Sequence, residues 1–175
     1  MSSREKAAAP APRTFLDRFR VDLGALPWRD AILAGSGGFL AIFTLASLTL
    51  KLGTLLLIAP FGASCVLVFA IPQSPLAQPR NVIGGHAIST VAGLSVLYLL
   101  GASPLAFGLG VGLAICAMAL TGLLHPPAGA DPIVVILAGA SWRFLFAPVL
   151  LGAIVIVLIA IGFHRWVTRK PYPLG

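Results

Sequence analysis

The sequence predicts an all-α membrane protein of about six transmembrane segments, in which the second and fifth segments are interrupted helices. First, the 175 residues are 58% hydrophobic and 10% charged, with a mean hydropathy of +1.00, whereas soluble domains contain about 25% charged residues. Second, the apolar residues form blocks long enough to span a bilayer, such as 32–50, which contains no charge. Third, PFGASCVLVFA at 60–70 resembles PAGADPIVVIL at 127–137. Backbone breaks within a membrane generally line a path for something polar.

The net charge of +7 comes mainly from basic residues near the two ends of the chain, which predicts that both termini are cytoplasmic. A basic chain could bind nucleic acid. With six crossings, however, every Lys and Arg except Lys51 and Arg143 falls in the tails or in the loop at 72–81. This asymmetry follows the positive-inside rule, so it indicates membrane orientation and not a nucleic-acid partner. The expected location is a bacterial inner membrane, with the lipid bilayer as surroundings.

The chain divides into a cytoplasmic tail at 1–28, a transmembrane domain at 29–164 and a basic cytoplasmic tail at 165–175. Within the first tail, residues 1–13 are predicted to be disordered. Thr14 can then cap a short amphipathic helix that lies on the membrane surface.

Six apolar segments fill the transmembrane domain, and an even number of crossings agrees with two cytoplasmic termini. Four crossings plus two re-entrant segments would also be even. The predicted segments are 30–50, 53–71, 82–100, 104–124, 125–141 and 144–163.

The second and fifth segments carry Ser64 and Asp131 at matching positions, and both residue types are favoured helix N-caps. Their helices are therefore predicted to begin there and to run to about Ile71 and Gly139. Eight helical residues rise about 12 Å, which is too short for a hydrocarbon core of about 30 Å. An extended stretch ahead of each helix would complete the crossing, and this is favoured over full re-entrance. Both N-caps would then lie near the bilayer centre.

The two similar motifs also predict an inverted internal repeat with halves at about 29–100 and 104–164. Three crossings in each half would give the halves opposite orientations. Weaker matches support the same alignment: LAI at 40–42 matches LAI at 113–115, and Gly85 matches Gly152. The alternative is that small and β-branched residues recur by chance in membrane helices.

Two helix starts that meet near the bilayer centre would form a candidate site for a small anion, because helix N-termini present free N–H groups and partial positive charge. The alternative is that the caps merely close the helix ends. The candidate substrate-binding residues around the two starts are Gly62, Ala63, Ser64, Gly129, Ala130 and Asp131.

Further candidates are polar residues at the breaks. His125 can titrate near neutrality and stands before two prolines. Arg80 could attract anions to the cytoplasmic mouth or contact lipid phosphate. Asn81 is expected to cap the third span, and His86 lies about one turn inside it. Asp131 is interpreted mainly as a structural cap, with proton coupling as an alternative.

The cysteines predict packing and not metal chemistry. Cys65 and Cys116 lie in apolar segments without CxxC or Cys/His spacing, so neither a metal site nor a cofactor is expected.

Three motifs together resemble the HPP family of small integral membrane proteins: HPPAGA at 125–130, QPRNVIGGH at 78–86 and FGAS at 61–64. The resemblance covers about residues 30–163. It implies an integral membrane protein and, from plastid and cyanobacterial relatives, nitrite transport.

The resulting hypothesis is a transporter or channel for a small inorganic anion, nitrite by resemblance, with proton coupling through His125 or Asp131, and without enzymatic activity. Three alternatives remain: a channel or carrier for another small solute, an intramembrane enzyme using Ser64, His125 and Asp131, and a non-transporting scaffold. No GxSxG motif surrounds Ser64. Glycine-rich helix faces suit contacts within one chain or between copies, so a homo-oligomer also stays open.

Overall fold

Residues 25–174, which the computed structural model describes, fold into six apolar helical segments, as expected for an all-α membrane protein. Four segments, α1, α3, α4 and α6, are long and apolar enough to cross a membrane, whereas α2 and α5 are short. The tail and surface helix expected within residues 1–24 lie outside the described range. The segments are α1 (Trp28–Leu52), α2 (Pro60–Ala70), α3 (Pro79–Leu100), α4 (Pro104–Thr121), α5 (Pro126–Leu137) and α6 (Leu145–Thr168).

Proline and glycine set most of the helix boundaries. Pro79 and Pro104 stand in the first turns of α3 and α4, where a missing N–H costs nothing. The hydroxyl of Ser103 accepts the N–H of Ala106 at 3.2 Å, which caps α4. Helices α1 and α4 end at Gly53 and Gly122, whose φ angles of 62° and 67° require the left-handed conformation.

Contacts between the segments define two ends of the bundle. At the first, called the basic end, Lys170 after α6 pairs with Asp30 at the start of α1, N to O 3.3 Å. Tyr172 donates from its hydroxyl to the carbonyl oxygen of Ala77 at 3.0 Å, which joins the α2–α3 link to the same end. Five basic residues lie at this end: Arg29, Arg80, Arg165, Arg169 and Lys170. At the opposite end, Tyr98 near the end of α3 stacks on Trp142.

The second segment runs from the opposite end to the basic end. It leaves α1 at Gly53 and continues without helical structure to Ala59, with Leu56 and Ile58 buried in the core. The backbone N–H of Leu56 donates to the hydroxyl of Thr49 in α1 at 3.0 Å. Helix α2 then ends at Ala70, which borders the same pocket as Leu26 and Lys170. The expectation of a non-helical stretch followed by a short helix fits this path.

The N-cap assigned to Ser64 is wrong, because α2 begins four residues earlier, at Pro60. Ala59 is the N-cap, and Pro60 occupies a first-turn position, where proline starts a helix well. Ser64 therefore sits inside the helix, where its own backbone is already engaged and its hydroxyl is free for other partners. The helix is α-helical to Cys65 and π-helical from Val66 to Ala70.

The fifth segment runs the other way, beside α3. Pro126–Ala130 form a 3₁₀ turn in place of the expected extended stretch, and Asp131–Leu137 continue as α-helix. The segment ends at Gly139 and Ala140, which border Leu97 and Tyr98 near the end of α3. Consecutive prolines fix φ and start the helical turn early, so the helical part begins before Asp131. Asp131 makes no capping hydrogen bond, so its assignment as a cap is also wrong.

Glycines allow the close packing of α2 and α5 against the long helices. A Cβ built on Gly85 of α3 would lie 3.0 Å from the carbonyl oxygen of Leu123, and one on Gly152 of α6 would lie 2.9 Å from that of Leu56. These two contacts are equivalent in the two halves, because the alignment of the motifs at 60–70 and 127–137 also matches Gly85 with Gly152 and Leu56 with Leu123. On Gly37 of α1, a Cβ would overlap the Phe69 ring, and on Gly110 of α4 it would lie 3.1 Å from Cβ of Pro132.

Candidate functional site

Ser64 is the centre of a buried polar cluster inside the bundle. Helix α2 turns its side chain away from the surface, and the residue has 0% exposure. Its Oγ lies 2.8 Å from Nε2 of His86 and 2.9 Å from Nε2 of His125, with the carbonyl oxygen of Pro60 farther away at 3.3 Å. The hydroxyl therefore bridges two imidazole rings, one from α3 and one from the start of α5.

His86 links Ser64 to Asp131. Its Nδ1 lies 2.7 Å from Oδ2 of Asp131, and both side chains are fully buried. The ring is held edge-on by Phe61 at 5.2 Å and by His125 at 5.1 Å between centroids. Serine, histidine and aspartate thus form a continuous hydrogen-bonded series across α2, α3 and α5.

Asp131 turns from its own helix toward α3. Its Oδ2 accepts from the hydroxyl of Thr90 at 3.4 Å as well as contacting His86. Its Oδ1 is buried and has no hydrogen-bond partner among residues 25–174. A buried polar atom of this kind in a native fold requires an explanation, such as a ligand, a water molecule or a neutral carboxyl group.

His125 is fixed at the other side of Ser64. Its Nδ1 donates to the carbonyl oxygen of Leu76 at 2.8 Å, which leaves Nε2 facing Ser64. Leu76 belongs to the link between α2 and α3, so His125 connects the buried cluster to the basic end of the bundle. We use the name polar network for Ser64, His86, His125 and Asp131 together.

Two further polar side chains hold the start of α5 against α3. Ser89 donates to the carbonyl oxygen of Ala128, and Asn81 donates through Nδ2 to the carbonyl oxygen of Leu124 at 3.0 Å. The role of Asn81 as a cap of α3 is therefore wrong, since Gln78 occupies that position and Asn81 lies within the helix. Both contacts align His125 and Asp131 with His86.

The remaining sequence candidates lie outside the polar network. Arg80 is exposed at the basic end. Gly62 and Ala63 are exposed, and Gly129 and Ala130 are partly exposed, on the outer side of α2 and α5. The N–H of Gly62 already donates to the carbonyl oxygen of Ala59 at 3.1 Å, so this expected anion donor is engaged.

An open groove of about 440 Å³ separates the outer sides of α2 and α5. It is lined by Ala63, Val66, Leu67, Pro126 and Pro127. Ser64 follows Ala63 and His125 precedes Pro126 in the chain, but both side chains turn to the buried side. The groove and the polar network therefore lie on opposite sides of the same two broken segments.

Sequence reasoning missed Thr90 and Ser89 as members of the site. Both lie one turn from His86 on α3, at the spacing that places side chains on one helix face. This spacing could have identified both residues from the sequence as neighbours of His86. Among residues 25–174, no group of three or more His, Cys, Asp or Glu is arranged to hold a metal ion.

Comparison with known proteins supports the membrane assignment. The family model described as "HPP, transmembrane region" matches residues 24–173. Two Dictyostelium discoideum proteins, both named only as transmembrane proteins, are similar. One is 39% identical over 126 residues, covering 67% of this chain and 44% of the relative; the other is 33% identical over 167 residues, covering 89% and 52%. The chain thus spans about half the length of these curated relatives. No solved structure matches.

Proposed function

Because the chain belongs to the HPP family and is an integral membrane protein, we propose that it transports a small inorganic anion across the bilayer, with nitrite as the first candidate. The observation that carries this proposal is the polar network, which is fully buried in a bundle whose core is mainly apolar. Ionisable side chains inside a membrane are costly and generally mark substrate or proton pathways. Imidazole N–H and hydroxyl donors also suit an anion.

The proposed topology has six crossings and places both termini in the cytoplasm of a bacterial cell. Five of the seven basic residues in the described range lie at the basic end, while Lys51 and Arg143 lie toward the opposite end. This distribution supports a cytoplasmic basic end. The paths of α2 and α5 from one end of the bundle to the other support crossing over re-entrance.

An inverted repeat is part of the proposal. The contact of Gly85 with Leu123 and that of Gly152 with Leu56 join equivalent positions of the two halves. These paired contacts support a repeat over the chance recurrence of small residues. Such repeats commonly surround a central substrate site that alternates between the two sides of the membrane.

The groove between α2 and α5 is the proposed outer part of the route, and these two segments would have to separate for an anion to reach the polar network on their buried side. The groove opens to the outside of the bundle, so lipid or a second copy of the chain completes its outer wall. An anion that enters would take hydrogen bonds from Ser64 and from the two histidines, in place of the bonds that these groups make with one another. Arg80 at the basic end would raise the local anion concentration.

Leucine at Ala63 is expected to block flux without disturbing the buried core, because this residue is exposed and lines the groove. Uptake of labelled nitrite into proteoliposomes measures the effect, with protein-free liposomes as the baseline. Gly108→Leu on the outer side of α4 is the matched control, since its Cβ position is equally open. Normal flux in Ala63→Leu would exclude the groove as the route.

A second function, intramembrane hydrolysis, is favoured by one observation. Ser64, His86 and Asp131 have the order and distances of a nucleophile, a base and an orienting carboxylate, with His86 in the role expected for His125. Against it, Ser64 has 0% exposure and its hydroxyl is shared between two rings. Covalent labelling by a fluorophosphonate probe that disappears in Ser64→Ala would support the enzyme, and transport predicts no labelling.

A further inference from the structure

The hydrogen bonds of the polar network allow its protons to be counted. Four bonds run in series: Leu76 oxygen to His125, His125 to Ser64, Ser64 to His86, and His86 to Asp131. Each bond needs one proton. A neutral histidine contributes one N–H, and serine contributes one O–H.

The ordinary states of these residues supply one proton too few. Two neutral imidazoles and one hydroxyl provide three protons, and an ionised Asp131 provides none. A fourth is needed to complete the series, whichever group carries it: a carboxylic acid at Asp131, or an imidazolium at His86 or His125. All of these arrangements have four protons and zero net charge. The count therefore holds whichever group carries the fourth proton.

Loss of the fourth proton would leave a buried negative charge and an unfilled hydrogen bond. Oδ1 of Asp131, which has no partner in the described range, would increase the cost of that state. No Lys or Arg within residues 25–174 forms an ion pair with Asp131 that would compensate this charge. Helices α4 and α5 carry no basic residue, α6 carries none before its last turn, and Arg80 of α3 is exposed at the basic end. In the part of the chain that the structure describes, the other buried titratable groups are Cys65 next to Ser64 on α2, His164 near the end of α6, and Tyr172 at the basic end.

We propose that Ser64, His86, His125 and Asp131 form a binding site for one proton, and that this proton accompanies each anion through the protein. The coupling rests on the proposed transport function. With the proton bound, the network is neutral and an anion can take the place of the Ser64–histidine bonds. Without it, the negative charge on Asp131 repels the anion. The transported unit is therefore one anion with one proton, and transport moves no net charge.

Asp131→Asn tests the coupling, because an asparagine amide can donate to His86 and complete the series without a titratable proton. Wild-type vesicles with an imposed pH gradient are expected to accumulate the anion about tenfold for each pH unit, whatever the membrane potential. Any transport that remains in Asp131→Asn should bring the anion to equilibrium without accumulation driven by the pH gradient. Cys116→Ser, at an exposed position on α4, is the matched control and should accumulate anion like the wild type. Protein-free liposomes correct for diffusion of the neutral acid.

A measurement without transport separates the two proposals. The wild-type protein in detergent should lose thermal stability as pH rises, because the folded network holds a proton that the unfolded chain releases, and Asp131→Asn should lose less. If wild-type vesicles move no anion but this difference is found, the transport proposal fails and the proton site stands. Equal pH dependence of stability in both proteins would overturn the proton site. Equal gradient-driven accumulation in both, or a current accompanying wild-type uptake, would overturn the coupling.

Discussion

Asp131→Ala is expected to abolish anion uptake and to lower the free energy of unfolding by about 1–3 kcal/mol. The change removes the partner of His86 Nδ1 and of the Thr90 hydroxyl, both of which are fully buried. These two groups would stay without a hydrogen-bond partner unless water entered the cavity left by the Asp131 side chain. Uptake into proteoliposomes and thermal unfolding in detergent measure the two effects.

Asp30→Ala is the matched control for this change. The Asp30 carboxylate pairs with Lys170 at the surface of the basic end, and both side chains are 34% exposed. A surface pair of this kind contributes less than about 1 kcal/mol. Uptake by Asp131→Ala at the wild-type rate would show that the buried carboxylate has no part in transport.

Gly93→Ala is expected to destabilise the bundle by about 1–3 kcal/mol and to reduce uptake strongly. An added Cβ would lie 2.6 Å from Cα of Pro132, a backbone atom that cannot move without its helix. Helix α5 would shift away from α3, and the hydrogen bond between His86 and Asp131 would lengthen. Thermal unfolding and uptake again provide the readouts.

Gly108→Ala provides the comparison, because its Cβ would meet nothing within 4 Å. This replacement should be neutral or stabilising by up to about 1 kcal/mol, as expected for alanine in a helix. If Gly93→Ala behaves like Gly108→Ala, then the close contact between α3 and α5 is not required for the site.

The sequence predicted the helical segments well because hydropathy and proline or glycine breaks are local signals. The short α2 and α5 were found from the similar motifs at 60–70 and 127–137. The helix starts were misplaced because serine and aspartate were interpreted as caps, while Pro60 and Pro126 begin helical turns earlier. Proline's fixed φ determined these starts.

The members of the polar network were all candidates from the sequence, but the hydrogen bonds between them were not predicted. The anion was instead expected at free backbone N–H groups. The position of His86 between Ser64 and Asp131 depends on the packing of three helices through Gly85 and Gly93, which one sequence does not reveal. The spacing of Ser89 and Thr90 from His86 was the local signal that could have identified the polar face of α3.

Uptake of labelled nitrite by proteoliposomes, alongside other small anions and at two pH values, tests the central claim most directly. The account predicts saturable uptake of at least one anion by the wild-type protein, faster from the more acidic side, and none above protein-free liposomes for Asp131→Ala. Wild-type uptake of no anion above protein-free liposomes, or equal uptake by Asp131→Ala, would contradict it.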